Sequence, residues 1–78
     1  MHFELGEMRT GNAIGDYDTE ADALAVVRDT AAAHGRDAIQ TFALVRINRR
    51  GRATTLATGS ELVDRAHSSA PRGTAVPV

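Results

Sequence analysis

The sequence predicts a small α+β domain with the element order β-β-α-β-β-α. One segment, 18–35, has the start signal, the apolar periodicity and the stop signal of a helix, and segments typical of strands precede and follow it. The chain has 78 residues, which suffices for a single domain around one core. We therefore expect a four-stranded, mainly antiparallel sheet with one long helix packed on one face and a short C-terminal helix.

The long helix is expected to begin after Thr19, whose hydroxyl can accept a hydrogen bond from a free amide of the first turn. Gly35 can end it, because glycine adopts a left-handed conformation without steric cost. Negative charge is favourable near a helix start, and the acidic residues there are Asp18, Glu20 and Asp22. A narrow, Ala-rich apolar stripe is formed by Leu24, Val27 and Ala31. Such a stripe must lie close against a flat surface, and we expect that surface to be the sheet.

Four segments have the composition and the alternation of strands. They are His2–Met8, Ala13–Tyr17, Ile39–Asn48 and Arg52–Thr58. Gly11 and Gly51 fall in the two hairpin turns: Gly11 tolerates a positive φ angle, and Gly51 is expected to take the left-handed position of a bulged hairpin. Gly15, inside the second strand, predicts a bulge or a close backbone approach.

The third strand is the most apolar of the four and is predicted to be central. Its middle, Phe42–Val45, is apolar at every position, so both of its faces carry apolar side chains. A chain of this length cannot cover both faces of a sheet. The uncovered face is therefore predicted to be an association surface.

A short helix is predicted to follow the fourth strand, over Glu61–His67, with Ser60 as its N-cap. The segment Ser68–Val78 is rich in Ser, Pro and Gly and lacks periodicity, which predicts a flexible tail. The folded domain would then span 1–67. No internal repeat is evident in the sequence beyond the two hairpins.

The composition restricts the class of protein. There is no Cys, which excludes disulfides and Cys-ligated zinc, and the one Tyr and two Phe leave a mainly aliphatic core. A small domain with such a core often gains stability by forming oligomers. No apolar run approaches the ~20 residues of a membrane span, and no basic-then-apolar leader begins the sequence, so we expect a soluble, cytoplasmic protein without a membrane partner. All nine basic residues are Arg and Ala is abundant, which indicates a GC-rich bacterial genome.

Charge is distributed unevenly, although the formal net charge is only −1. Residues 1–30 contain seven acidic residues and two Arg, whereas residues 31–78 contain seven Arg and three acidic residues. This asymmetry is typical of head-to-tail self-association or of two partner surfaces. The alternative, which we prefer at this stage, is that folding joins the halves in solvated ion pairs of small energy.

Few residues indicate enzyme chemistry. The histidines, His2, His34 and His67, lack the spacing of a metal site. Asp16 and Asp18 are close in sequence, but their position beside a helix start explains them as capping and dipole partners. The glycines are isolated and form no phosphate-binding loop. We therefore expect no catalytic residue, no metal, no cofactor and no small-molecule substrate.

The one concentrated feature is a group of four arginines in the second hairpin. Its members, Arg46, Arg49, Arg50 and Arg52, are the candidate binding residues for a partner protein or for nucleic acid. A basic hairpin can follow a phosphate backbone or dock on an acidic protein surface, because guanidinium groups match carboxylates. No aromatic side chain lies among them to stack on a base. The alternative is a solvated hairpin tip that protects a sheet edge.

The segment 15–24, Gly-Asp-Tyr-Asp-Thr-Glu-Ala-Asp-Ala-Leu, resembles the strand-to-helix passage of HicB-type antitoxins, where a Gly, an Asp-Thr pair and a Glu-Ala-rich first turn lead from strand to helix. The resemblance implies a small partner of an RNA-cleaving toxin. The Pro-Gly-Cys strand end usual in that family is absent. The order β-β-α-β-β is also similar to that of the YegP-like small bacterial proteins. Neither resemblance assigns a functional residue.

The sequence therefore favours a small, non-enzymatic protein-interaction or regulatory module, either antitoxin-like or a dimeric adaptor. Its partner is expected to be itself, as a homodimer, or another protein. The alternative is a nucleic-acid-binding module that uses the hairpin from Arg46 to Arg52. An enzyme is the least favoured class.

Overall fold

Within the described part of the chain, four strands form one sheet and two helices lie on one side of it. The computed structural model describes residues 1–68. The strands are β1 His2–Glu7, β2 Asn12–Tyr17, β3 Phe42–Ile47 and β4 Ala53–Thr58, and the helices are α1 Glu20–His34 and α2 Gly59–Ser68. The predicted α+β fold and its element order are confirmed, while residues 69–78 of the predicted tail lie outside the described part of the chain.

The sheet is antiparallel throughout, in the order β2-β1-β3-β4. Leu5 of β1 pairs directly with Leu44 of β3 at the centre of the sheet, and both side chains are fully buried. Because side chains alternate along a strand, the burial of these two leucines defines the face on which the helices lie. The residues immediately before and after each leucine along its strand point to the opposite face.

The core lies between the sheet and both helices. The three fully buried residues of α1 are Ala23, Leu24 and Val27, and those of α2 are Leu62, Val63 and Ala66. They pack in one cluster with Leu5, Leu44, Ala57 and Ile39. The predicted stripe of α1 is thus confirmed at Leu24 and Val27, whereas Ala31, one turn further, is only half-buried.

The ends of α1 follow the predicted signals. The Thr19 hydroxyl accepts a hydrogen bond from the Asp22 amide at 3.1 Å, which satisfies one of the free amides of the first turn. At the other end, Gly35 has φ 91° and donates its amide hydrogen to the Ala31 carbonyl at 2.7 Å. Its ψ angle of 163° lies outside the left-handed helical region that we expected. After the helix, the backbone at Gly35 is therefore extended, and the chain enters the next turn directly.

Two predicted element starts are wrong by more than one residue, for identifiable reasons. The third strand begins at Phe42, because Ile39 belongs to a 3-10 turn over Arg36–Ile39 and is fully buried beside both helices. Its apolar side chain fits the core as well as it would fit a strand, so periodicity alone extends the strand too far. The second helix begins at Gly59, with φ 56°, and Ser60 lies inside it instead of capping it. The helix also includes Ser68, which we predicted to start the tail.

The chain folds as two ββα halves, a repeat that the sequence analysis missed. The buried residues of α1 and α2 correspond to one another at a constant spacing along the chain: position 23 corresponds to 62, position 24 to 63 and position 27 to 66. Leu5 and Leu44 have the same offset, and each is followed by the shift in strand register of its own hairpin. Few identical residues occupy equivalent positions, which is why the repeat is visible only in the fold.

Each hairpin contains one bulge, in which an extra residue lies opposite a single partner. The extra residues are Ile14 in β2 and Leu56 in β4. The bulge predicted at Gly15 is therefore displaced by one position, since Gly15 itself pairs with Leu5. A Cβ atom at Gly15 would lie 2.6 Å from the Tyr17 hydroxyl oxygen. A larger residue at this position would therefore require the Tyr17 ring, which packs over Gly15, to move.

Candidate functional site

The sheet face opposite the helices is not covered by any described part of the chain. Its central strand, β3, contributes an apolar strip formed by Ala43, Val45 and Ile47. In this single chain Ala43 is buried, and Val45 and Ile47 are half-buried, so Val45 and Ile47 supply most of the exposed surface of the strip. The prediction that the central strand is apolar on both faces is thus confirmed, with Phe42 and Leu44 directed to the helices.

The strip is bordered by small residues toward the start of β3. On one side of Ala43 lie Gly6 and Ala13, which together with Ala43 line a shallow depression of about 170 Å³ beside the first hairpin. On its other side lies Thr58. Flat sheet surfaces of this kind allow a second sheet to approach to the usual packing distance of ~10 Å. The open face is therefore compatible with sheet-on-sheet packing.

Two carboxylates stand side by side on the same open face. Glu4 of β1 pairs directly with Asp16 of β2, and on its other side Glu4 pairs with Val45. Like charges directly opposite one another on a sheet destabilise it. Neither carboxylate makes an ion pair within the described residues. We did not recognise this pair from sequence, because β1 and β2 must first be placed in register before the two residues meet.

The second hairpin turn is held by Asn48, another residue without a role in the sequence analysis. Its side-chain oxygen accepts hydrogen bonds from the amides of Arg50 and Arg52, each at 2.9 Å. Its carbonyl accepts from the Gly51 amide, also at 2.9 Å, and Gly51 has the expected positive φ, 82°. Short side chains of this type often bond to the backbone of a following turn. The arginine-bearing tip is consequently a defined turn.

The four predicted arginines do not form a single surface. Arg46 lies on the helix side of the sheet, because it pairs directly with Phe3, a residue packed against the core. Arg49, Arg50 and Arg52 follow the end of β3, at the tip and on the return of the hairpin. All four are exposed, and none makes an ion pair with another described residue. The residues available at the tip are thus Arg49 and Arg50, with Arg52 beside them.

A shallow cleft of about 450 Å³ lies at this tip, lined by Met1, Asn48, Arg49 and Arg50. It forms because the pairing of His2 with Ile47 brings Met1 alongside the turn. Met1 is 66% exposed, and its side chain gives the cleft an apolar wall. Two guanidinium groups and one apolar wall favour a carboxylate-bearing or phosphate-bearing ligand surface.

Ion pairing within the fold leaves most of the charge asymmetry in place. Arg65 of α2 pairs with Glu20 of α1, and this contact raises the pKa of Arg65. Arg36 pairs with Asp64 at 3.1 Å, but both of these residues belong to the second half. Among the ion pairs of the described chain, only the pair of Glu20 with Arg65 joins the acidic half to the basic half. The interpretation that we preferred, in which folding joins the two halves in ion pairs, is thus realised in the described residues by this single pair. That the asymmetry serves association stays a prediction.

Glu7 is a further acidic residue with an unusual environment, at the end of β1. The Thr41 hydroxyl and then the contacts with Thr10 lower the pKa of Glu7 from 4.5 to about 2. Of the two threonines, only Thr10 lies in hydrogen-bonding geometry with Glu7. The amide and the hydroxyl of Thr10 both donate to Glu7 Oε1, each at 2.8 Å. Glu7 Oε2 is shielded from solvent and has no partner among the described residues. The two Thr10 contacts thus stabilise the ionised form of Glu7 through Oε1.

We expect Glu7 to make folding dependent on pH in the acidic range. Because its pKa is lower in the folded chain, its contribution is present above pH 4.5 and is lost as the pH falls toward 2. Replacing Thr10 by Val removes one donor and should raise the pKa of Glu7. An NMR titration of the Glu7 carboxyl carbon in wild type and in Thr10→Val measures this shift, and equal midpoints in the two proteins would contradict it.

No group of three or more possible metal ligands occurs within residues 1–68. Of the helices in that range, neither has both the length and the apolar character needed to cross a bilayer. Comparison of the chain with known protein families, with curated proteins and with solved structures finds no match.

Proposed function

We propose that this protein is a small, non-enzymatic interaction module that forms a homodimer through the open face of its sheet. The observation that carries the proposal is the apolar strip of β3, Ala43, Val45 and Ile47, on a face that both helices leave uncovered. Burial of such a strip against a second sheet removes apolar area from water, which favours association. A regulatory or adaptor role, including an antitoxin-like one, would use the same dimer.

A second copy is the partner that fits this face best. The fully buried core contains no aromatic side chain and comprises mainly Ala, Val and Leu. A domain of this size and core gains stability when it associates. The acidic and basic surfaces of one copy are also complementary to each other, and an interface between identical copies presents both at once.

The molar mass of the wild-type protein in solution tests this proposal. We expect sedimentation equilibrium to give a monomer–dimer equilibrium between low micromolar and millimolar concentration. The face is small, so the affinity should be moderate. A strictly monomeric mass across that range would overturn the proposed function.

A nucleic-acid-binding module is the second candidate. The observation that favours it is the defined hairpin tip, where Arg49, Arg50 and Arg52 are exposed and make no ion pair with described residues. Three guanidinium groups on one turn can neutralise phosphates. The acidic pair Glu4 and Asp16 on the neighbouring open face opposes this reading, because it would repel the same backbone.

Polarisation titrations with random duplex and single-stranded oligonucleotides at two salt concentrations test this candidate. For duplex DNA, each phosphate contact made by the tip should make the binding constant fall by roughly a further 0.9 log units for every tenfold increase in salt concentration. The double variant Arg49→Ala/Arg50→Ala should reduce that slope, while Arg46→Ala, on the helix side of the sheet, should leave it unchanged. Wild-type protein that fails to bind at low salt would exclude this candidate.

A further inference from the structure

We infer that the two copies of the proposed homodimer pack with β3 over β3, around a two-fold axis that runs parallel to the strands above Val45. In this arrangement β1 of each copy lies over β4 of the other copy, and Glu4 faces Thr55 of the other copy. The inference rests on the proposed function, since it requires the two open faces to be in contact. It adds which strands and which side chains meet.

Charge divides the open face into two lateral halves. Residues paired on neighbouring strands point to the same face, so the register gives the composition of each half. The half formed by β1 and β2 carries His2, Glu4 and Asp16. The half formed by β3 and β4 has no charged residue at its paired positions in the described chain. Those positions are Ala43, Val45, Ile47, Ala53, Thr55 and Thr58.

This division disfavours a two-fold axis perpendicular to the strands, one of the two ways in which identical sheets with aligned strands can stack. Such an axis lays every strand over the same strand of the partner, at any shift along the strands. The Glu4–Asp16 pairs of both copies would then lie in one half of the interface and lose water together. Like charges enclosed in this way oppose association.

A two-fold axis parallel to the strands leaves only its lateral position to be chosen. An axis midway between β1 and β3 would lay the apolar strip of β3 over β1 of the partner, where His2 and Glu4 stand. An axis above β3 lays the strip over the same strip of the partner, so that Val45 faces Val45. Apolar side chains then cover apolar side chains, which removes both strips from water. The axis above β3 is therefore the favoured one.

The same axis determines the surroundings of each carboxylate. Glu4 and Thr55 both pair with Val45, from opposite sides of β3. An axis parallel to the strands keeps each residue at its own level along them, so Glu4 comes to lie over Thr55 of the other copy, twice in one dimer. Packed sheets lie ~10 Å apart, a gap in which the Thr55 hydroxyl can donate a hydrogen bond to the longer Glu4 side chain. Asp16, on β2, lies beyond the edge of the partner's β4 and stays in water.

The contact is small enough for one added charge to change its affinity measurably. The overlapping strands β1, β3 and β4 have six residues each, which gives roughly 300 Å² per copy at the usual strand spacing. An interface of standard size buries about 800 Å² per partner. Thr55 is exposed in the single chain, so it can be replaced without disturbing the core.

Two substitutions of opposite charge at Thr55 test this orientation. In Thr55→Arg, each new guanidinium group lies over Glu4 of the other copy, and we expect the dissociation constant to fall roughly tenfold. In Thr55→Glu, like charges meet at both contacts, and we expect it to rise at least about tenfold. Sedimentation equilibrium measures both. Ala32→Arg adds the same charge at an exposed position of α1 and should leave the constant unchanged.

Double variants identify the group that the new arginine meets. In the Glu4→Gln background, Thr55→Arg should no longer strengthen association, because its carboxylate partner is gone. In the Asp16→Asn background the gain should persist, because Asp16 lies outside the overlap. Circular dichroism shows that each variant is folded before its association is measured.

The outcomes separate this inference from the proposed function. Opposite effects of Thr55→Arg and Thr55→Glu, with a gain that requires Glu4, support the orientation. Weakening by both substitutions indicates that Thr55 meets Thr55, as around the perpendicular axis. A gain that requires Asp16 instead places the axis between β1 and β3, and unchanged affinities place β4 outside the interface. Each of these three results overturns the orientation, while a dimeric wild type keeps the proposed function; a monomeric wild type overturns both.

Discussion

Leu24→Ala is expected to lower the free energy of unfolding by about 2–5 kcal/mol, the usual cost of a large-to-small change in a packed core. Leu24 is only 1% exposed and lies in one cluster with Leu5 of the sheet and Leu62 of α2. Small domains have a total stability of about 5–15 kcal/mol. The variant should therefore have a much lower melting temperature and a large unfolded fraction at moderate denaturant concentration.

Urea unfolding followed by circular dichroism measures this effect. Val26→Ala is the matched control, because Val26 lies on the same helix and is only half-buried. Its smaller loss of apolar contact is partly offset by the better helix propensity of Ala. A Leu24→Ala variant as stable as Val26→Ala would contradict the placement of the α1 stripe against the sheet.

Val45→Glu is expected to prevent the proposed homodimer from forming. The new carboxylate would stand in one row with Glu4 and Asp16, at the centre of the open face. In a single chain it remains in contact with water, but beneath a second sheet it would be desolvated without a cation of its own. We expect the dissociation constant to rise at least about a hundredfold, because unpaired like charges at an interface oppose association strongly.

Sedimentation equilibrium on the folded variant measures this change. Ala32→Glu is the control, since it introduces the same group at an exposed position of α1, in the helical layer. This control should keep the wild-type association constant. A Val45→Glu protein that remains folded and dimerises as strongly as wild type would place the interface on another surface.

The elements of this fold could be predicted because their signals are local. Thr19 and Gly35 mark the ends of α1 through contacts within a few residues of each terminus. Gly51 marks a hairpin through its own φ angle. Ile39 shows the limit of such reasoning: an apolar residue beside a strand satisfies the same pattern, whether it continues the strand or fills the core.

The features of the candidate site depend on contacts between distant residues, which sequence patterns do not contain. Glu4 and Asp16 meet only once the register of β1 and β2 is fixed, and a bulge changes that register by one residue. The arginines were recognised as a group, but their division between two sides of the sheet follows from the pairing of Arg46 with Phe3. Neither pairing is encoded in the spacing of the residues along the chain.

The central ladder of the sheet also governs the order in which the chain can fold. The pairing of Leu5 with Leu44 joins strands that belong to different halves, so it closes a long loop, whereas each hairpin closes locally. Long-range pairings form late in folding. During synthesis, the edge of β1 that pairs with β3 therefore stays unpaired until β3 has left the ribosome. We expect pulsed hydrogen exchange during refolding to protect the amides of each hairpin before those between β1 and β3. Until that step, the edge of β1 offers a template for pairing with another nascent chain.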